Sequence, residues 1–231
     1  AILKEEGIDV ASWPQEAGHQ DAWGDAAGVN KIEYRSPEGQ SVVVKLKTAP
    51  DVAAGILDQY ELGPYNLIIL GEPSRWRGEI SSFFDSGIVQ TVTTMAPCSV
   101  LVARQSLAKT GYFICTDGSS RSMQAVRRAA VLAEVTGEPI TLFSVATSAE
   151  GKPAAEEAVA NARALLKAMK ITVKETKVAV GDPVEEIVES GSLYKVIVVT
   201  DEGRSRLQRL IRGSTATQVV RKARTSVLDV R

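Results

Sequence analysis

Thr200, Gly203, Gly213, Ser214 and Thr215 are the residues whose types and spacing best suit a chemical task. Nine residues separate Gly203 from Gly213, and the second glycine leads straight into two hydroxyl residues. Glycine lets a backbone come within contact distance of a phosphate and present unobstructed N–H groups to it. Ser214 and Thr215 open the run "STATQVVRKA", apolar at Ala216, Val219, Val220 and Ala223. Amides at the start of such a helix would add to an anion site. The same glycines also admit a plainer reading, a turn followed by the start of a helix. Asp117 directly follows the apolar run "YFICT". It therefore belongs at the carboxyl end of a strand, where α/β folds place ligands.

Other reactive side chains point to little. His19 is the single histidine, so no Ser/His/Asp triad is easily built. Cys98 and Cys115 sit in apolar runs without paired-ligand spacing, which predicts buried free thiols, no zinc site and a reducing compartment. Glu156–Glu157 and Glu185–Glu186 read as first-turn acids that complement a helix dipole. No enzyme, no metal and no recognisable reaction are expected. A basic cluster closes the chain: Arg204, Arg206, Arg209, Arg212, Arg221, Lys222, Arg224 and Arg231. It suits a solvated face, a phosphate-rich ligand or a neighbouring surface. Without interleaved aromatics, and at a net charge of −1, it does not suit nucleic acid.

The elements that must position these residues alternate. "SVVVKLK" (41–47), "NLIILG" (66–71), "SVLVAR" (99–104), "YFICT" (112–116), "ITLFSVA" (140–146), "ITVKETKVAV" (171–180), "KVIVVT" (195–200) and "SVLDVR" (226–231) read as strands. Apolar on both faces, such runs suit parallel strands covered by helices. Between them lie alanine-rich amphipathic stretches and "GDPVEEIVES", where Asp182 can cap a helix and Pro183 suits its first position. This predicts an α/β fold with parallel sheets. Residues 111–231 should hold five strands and four helices, whereas residues 31–46 also suit a hairpin around Pro37–Glu38–Gly39.

The pattern occurs twice. "NLIILGEP…APCSVLVAR" parallels "KVIVVTDEG…KARTSVLDVR", the offset drifting from 129 at Leu67/Val196 to 127 at Ser99/Ser226. Two units in tandem follow, 1–108 and 109–231, the first of them degenerate. The final strands 99–104 and 226–231 are expected to pair with each other and so hide two open edges.

Residues 111–231 resemble a universal stress protein domain along their length. The matching phrases run in family order: "ICTDGSSRS", "LFSVA", "VAVGDPVEEIVE" and "VIVVTDEGRSRLQRLIRGSTATQVVRKARTSVLDVR". The resemblance implies that Asp117 and Val145 contact adenine and ribose, and that Gly203, Gly213, Ser214 and Thr215 hold phosphates. The family's nucleotide signature begins with a glycine where this chain has Thr200. ATP is therefore expected to bind weakly or not at all. In the first unit Gly71 matches that opening glycine, but Ser74 replaces the second and Gly87 arrives three residues late, so no nucleotide is expected there.

The stretch "LDQYELGPYNLIILGEPSRWRGEISSFFDSGIVQ" is similar to the cytosolic C-terminal domain of cation–chloride cotransporters, through Asn66, Gly71 and Trp76. That resemblance implies a non-enzymatic, cytoplasmic regulatory and dimerisation domain of a secondary transporter. Its partners would be a second copy and the membrane domain of the same polypeptide. Trp76, Phe83 and Phe84 are then either interface anchors or core. The alternative is a free-standing tandem universal stress protein that binds ATP. The 231 residues, 44% hydrophobic and 24% charged, contain no run near the ~20 apolar residues of a membrane span. With alanine as its first residue, the chain is expected to be cut from a longer one.

Overall fold

The computed structural model describes residues 15–16, 30–35, 41–46, 49–61, 63, 65–71, 86–104, 109–200 and 214–231. The chain divides into two compact units, residues 1–58 and 59–231.

The first unit contains a small antiparallel sheet in the order β1-β2-β3, made of Gln15–Glu16, Asn30–Arg35 and Ser41–Leu46. Arg35 pairs with Ser41 and Asn30 with Leu46, the antiparallel pairing that the hairpin reading predicts. The apolar run "SVVVKL" is thus not a parallel strand. A partner only a few residues away in the chain closes cheaply, and apolarity on both faces does not by itself choose a direction. Helix α1, Val52–Glu61, spans the division between the units.

The second unit is a seven-stranded sheet in the order β4-β5-β10-β9-β6-β7-β8. Its strands are β4 (Leu67–Gly71), β5 (Ser99–Ala103), β6 (Tyr112–Cys115), β7 (Ile140–Ala146), β8 (Glu175–Val180), β9 (Val196–Thr200) and β10 (Ser226–Val230). Every pairing is parallel except that of β5 with β10. Five helices accompany it among the described residues: α2 (Ser86–Met95), α3 (Ser120–Val135), α4 (Lys152–Ala168), α5 (Pro183–Gly191) and α6 (Thr215–Lys222). The described residues of 111–231 supply five strands and four helices, the number expected from the sequence.

Helices α3 and α4 pack together on one side, and α2, α5 and α6 form a second group around α6. Beneath α3 and α4 lies a core of Ile114, Leu142, Val198 and Leu228 against Ala125, Ala129, Ala133, Ala162 and Leu166. Alanine on the inner helix faces lets helix and sheet approach closely. Elsewhere Phe113 meets Phe143 at 4.6 Å and Tyr194 at 4.7 Å between ring centroids. Helix α5 ends there at Gly191, where a Cβ would come within 2.6 Å of the Ile197 side chain. The caps follow the sequence. Asp182 Oδ1 accepts from the amides of Val184 and Glu185, with Pro183 in the first turn. Glu156 and Glu157 differ from expectation: α4 starts at Lys152, which places them past its first turn.

The antiparallel seam joins two strand–helix–strand stretches. Leu67 pairs with Ser99, and Val196 pairs with Ser226, so β4/β5 and β9/β10 share one register under the offset seen in the sequence. At the seam Val100 faces Asp229, Leu101 faces Leu228 and Val102 faces Val227, the pairing expected of the two final strands. The bonds that close it are reciprocal. The Arg104 amide donates to Ser226 Oγ at 3.0 Å, and the Arg231 amide to Ser99 Oγ at 3.1 Å.

Candidate functional site

The strand order places a switch point between β9 and β6. From β6 the chain steps outward to β7 and β8, then returns to β9 and β10 on the other side. The carboxyl ends of the paired strands β6 and β9 therefore meet at this switch point, the place where α/β folds bind ligands.

Asp117 and Val145 stand at this rim. Cys115 pairs with Phe143, so Asp117, two residues on, emerges from β6 at the height of Val145 in adjacent β7. Val145 is half-buried and Asp117 exposed. The loop carrying Asp117 is braced at each residue. Its Oδ1 accepts from the Ser119 amide at 2.9 Å, and Ser119 Oγ caps α3 by accepting from the Ser122 amide at 3.2 Å. Ser122 Oγ donates to the Ser119 carbonyl at 3.0 Å. Its proton being committed, the 2.9 Å contact with Thr116 Oγ1 has threonine as donor. Thr116 Oγ1 in turn accepts from the Gly118 amide at 3.1 Å. Gly118 has φ +80°, and a Cβ there would lie 3.2 Å from that of Ala158, so glycine suits both the turn and the contact with α4. Sequence reasoning picked Asp117 alone; the hydroxyls flanking it in "TDGSSRS" were the available signal for the rest.

Helix α6 lies between two parallel strands, so its start comes to the same rim. Ser214 is the N-cap: its Oγ accepts from the Thr217 amide at 3.1 Å and lies 3.0 Å from Thr217 Oγ1. With that oxygen used as a cap, the first-turn amides and the exposed Thr215 remain to meet a ligand. Gly203 and Gly213, the other two expected phosphate contacts, lie outside the described residues, as do His19, Trp76, Phe83 and Phe84.

Thr200 ends β9 with its hydroxyl turned sideways, donating to the Val230 carbonyl at 2.7 Å. Among the described residues only Lys170 is a non-glycine at positive φ. Threonine at this position thus keeps ordinary strand geometry and ties β9 to β10. Cys115, beside the rim, has its thiol pKa pushed far up by burial, and Cys98 is raised for the same reason, so both resist forming the nucleophilic thiolate. Among the described residues no cluster of His, Cys, Asp and Glu suits a metal, and no helix is long and apolar enough to cross a membrane.

Comparison with known proteins places this geometry. The model of the universal stress protein family matches residues 113–231, just over half of the chain. No curated protein matches. Among solved structures, a universal stress protein in complex with cAMP is 27% identical, with a TM-score of 0.48, covering 54% of this chain and 98% of its own. A universal stress protein from Archaeoglobus fulgidus DSM 4304 is 15% identical, with a TM-score of 0.58. It covers 78% of this chain, and the alignment spans 64% of that protein. A putative universal stress protein from Pseudomonas aeruginosa UCBPP-PA14 is 17% identical, with a TM-score of 0.56 and coverages of 76% and 66%. At those identities the last two show likeness of fold, over more of the chain than the family match takes in.

Proposed function

Because the chain belongs to the universal stress protein family, we propose that it is a non-enzymatic regulatory module that takes an adenine nucleotide, weakly, at the carboxyl rim of the sheet. Asp117 and Val145 receive the nucleoside; Gly203, Gly213, Ser214 and Thr215 receive the phosphates. The observation that supports this best is the convergence at one switch point of Asp117, level with Val145, and the capped start of α6. A carboxylate can accept from ribose hydroxyls, and helix-start amides favour phosphate oxygens.

Thr200 is why the affinity is low. A glycine there would open the backbone to the ligand, whereas threonine spends its hydroxyl on Val230. Calorimetric titration with Mg-ATP tests this. Wild type should bind weakly and Thr200→Gly about tenfold more tightly, the worth of one good backbone contact. Tight binding by wild type that is abolished by Gly213→Val would refute the role given to Thr200. No binding by either protein would refute the nucleotide reading.

The two units, 1–108 and 109–231, are read as tandem copies, supported by the common register of β4/β5 and β9/β10. The finer reading, a cytosolic dimerising tail of a cation–chloride cotransporter, rests on the pattern of Asn66, Gly71 and Trp76 alone. Sedimentation at rising concentration tests its dimer: an isolated chain that stays monomeric removes its main support.

A further inference from the structure

The two arginines that directly follow β5 and β10 reach across the seam and hold each other's helix. Arg104 donates through Nη2 to the Val220 carbonyl of α6 at 2.8 Å and through Nη1 to the Thr225 carbonyl at 3.2 Å. Arg231 donates to the Thr93 carbonyl of α2 and to the Ala96 carbonyl just beyond it. Val220 and Thr93 differ by 127, the same offset that relates the two strands. Each guanidinium therefore satisfies at least one carbonyl in the last turn of a helix, Val220 of α6 or Thr93 of α2, and sets a cation where the dipole is negative. The planar fork engages two carbonyls at once, the second being Thr225 ahead of β10 for Arg104 and Ala96 just past α2 for Arg231, which an ammonium does not reproduce.

The two clasps differ in what lies at the far end of the helix. Under the same 127 offset the Ser214 cap and Thr215 of α6 correspond to Gly87 and Ile88, which lie inside α2, one and two residues past its start at Ser86. At eight residues, α6 is only about 12 Å long, a rigid rod over that span. A displacement at Val220 is thus passed to Thr215 almost undiminished.

We propose that Arg104 is a positioning residue for the nucleotide site: from across the seam it fixes the carboxyl end of α6, and so sets where the first-turn amides meet phosphate. The half of the sheet with a degenerate loop thereby supports the site in the other half. This inference rests on the nucleotide reading above.

The test compares Arg104→Gln with its mate Arg231→Gln in the full chain, with Arg104→Lys as the conservative variant. Two readouts are taken at a temperature where all remain folded: amide hydrogen exchange without ligand, and Mg-ATP affinity. Arg104→Gln should speed exchange in α6 and weaken ATP about tenfold, Arg104→Lys recovering part of both. Arg231→Gln should speed exchange in α2 and leave ATP affinity within twofold of wild type. Equal loss of affinity in both glutamine variants would reduce Arg104 to a seam residue and overturn the proposal. So would an Arg104→Gln protein with loosened α6 and unchanged affinity. A wild type that binds no ATP sinks the nucleotide reading as well, and is distinguished because exchange is read without ligand.

Discussion

The stretches β4–α2–β5 and β9–α6–β10 meet at the seam and show which parts of a repeated unit packing preserves. Under the 127 offset, Val92 and Val219 are both fully buried, Ala96 and Ala223 are both buried, and Leu101 faces Leu228. The arginines match as well. The first turns do not: the Ser214 cap corresponds to Gly87 and Thr215 to Ile88, both of which lie inside α2. Buried positions are fixed by volume and by the cost of a void, so a second copy keeps them wherever the same layers must close. A polar first turn answers to a ligand, and nothing in the sheet requires it.

The largest test of this comparison is to charge the shared core. Val92→Asp and Val219→Asp each bury a carboxylate in a fully apolar position and should each cost more than about 4 kcal/mol, or unfold the chain, in urea titration. Equal severity on both sides is expected. A mild Val92→Asp would mean that the first stretch is a loosely attached flap rather than an equal half.

A middle-sized effect belongs to one side only. Glu138 Oε2 accepts from the Gly111 amide at 2.7 Å, and Oε1 binds Lys195 Nζ at 2.8 Å, bracing the starts of β6 and β9. The lysine bond, and next the Gly111 amide, hold this carboxyl below the usual value near 4.5 against the opposing effect of burial. A depressed carboxyl contributes its full stability above the unfolded value and loses it as pH falls through the lower folded one. Glu138→Gln should therefore cost about 1 kcal/mol at neutral pH and almost nothing in strong acid. Thermal melts from pH 7 to pH 3 read this directly; a cost that stays constant over the range would show that the charge contributes nothing.

The smallest effect sits at the helix starts. Ser214→Ala should cost about 1 kcal/mol and Ser214→Gly a few tenths. Gly87, by contrast, is already inside α2 with open space around a Cβ, so Gly87→Ser should stabilise by roughly 0.5 kcal/mol through helix propensity alone. Urea midpoints at fixed slope resolve the series. A Gly87→Ser variant that destabilises would show that the first turn of α2 depends on the glycine, against the propensity argument.

Much of this was legible in the sequence because it is local. The strand at 140–146 matches to the residue, and Ala216, Val219 and Val220 take the core places that their spacing gives them. The direction of β3 was ambiguous, since "SVVVKL" carries no record of its partner. The arginine clasp was hidden by distance. Arg104 and Val220 are 116 residues apart, and Arg231 looks like one more member of a basic, solvated tail. The signal was there in duplicate: "SVLVAR" and "SVLDVR" both end in arginine.

The one antiparallel pairing within the seven-stranded sheet has a consequence for how many ligands that sheet can address. Reversing direction between β5 and β10 turns the carboxyl ends of β4 and β5 toward the opposite margin from those of β6 to β10. A five-residue strand spans about 17 Å, so a molecule at one margin is out of reach of the other. The two margins are insulated from each other chemically while sharing one mechanical frame. Occupancy at one can be felt at the other only as strain carried through the strands and the helices clasped to them.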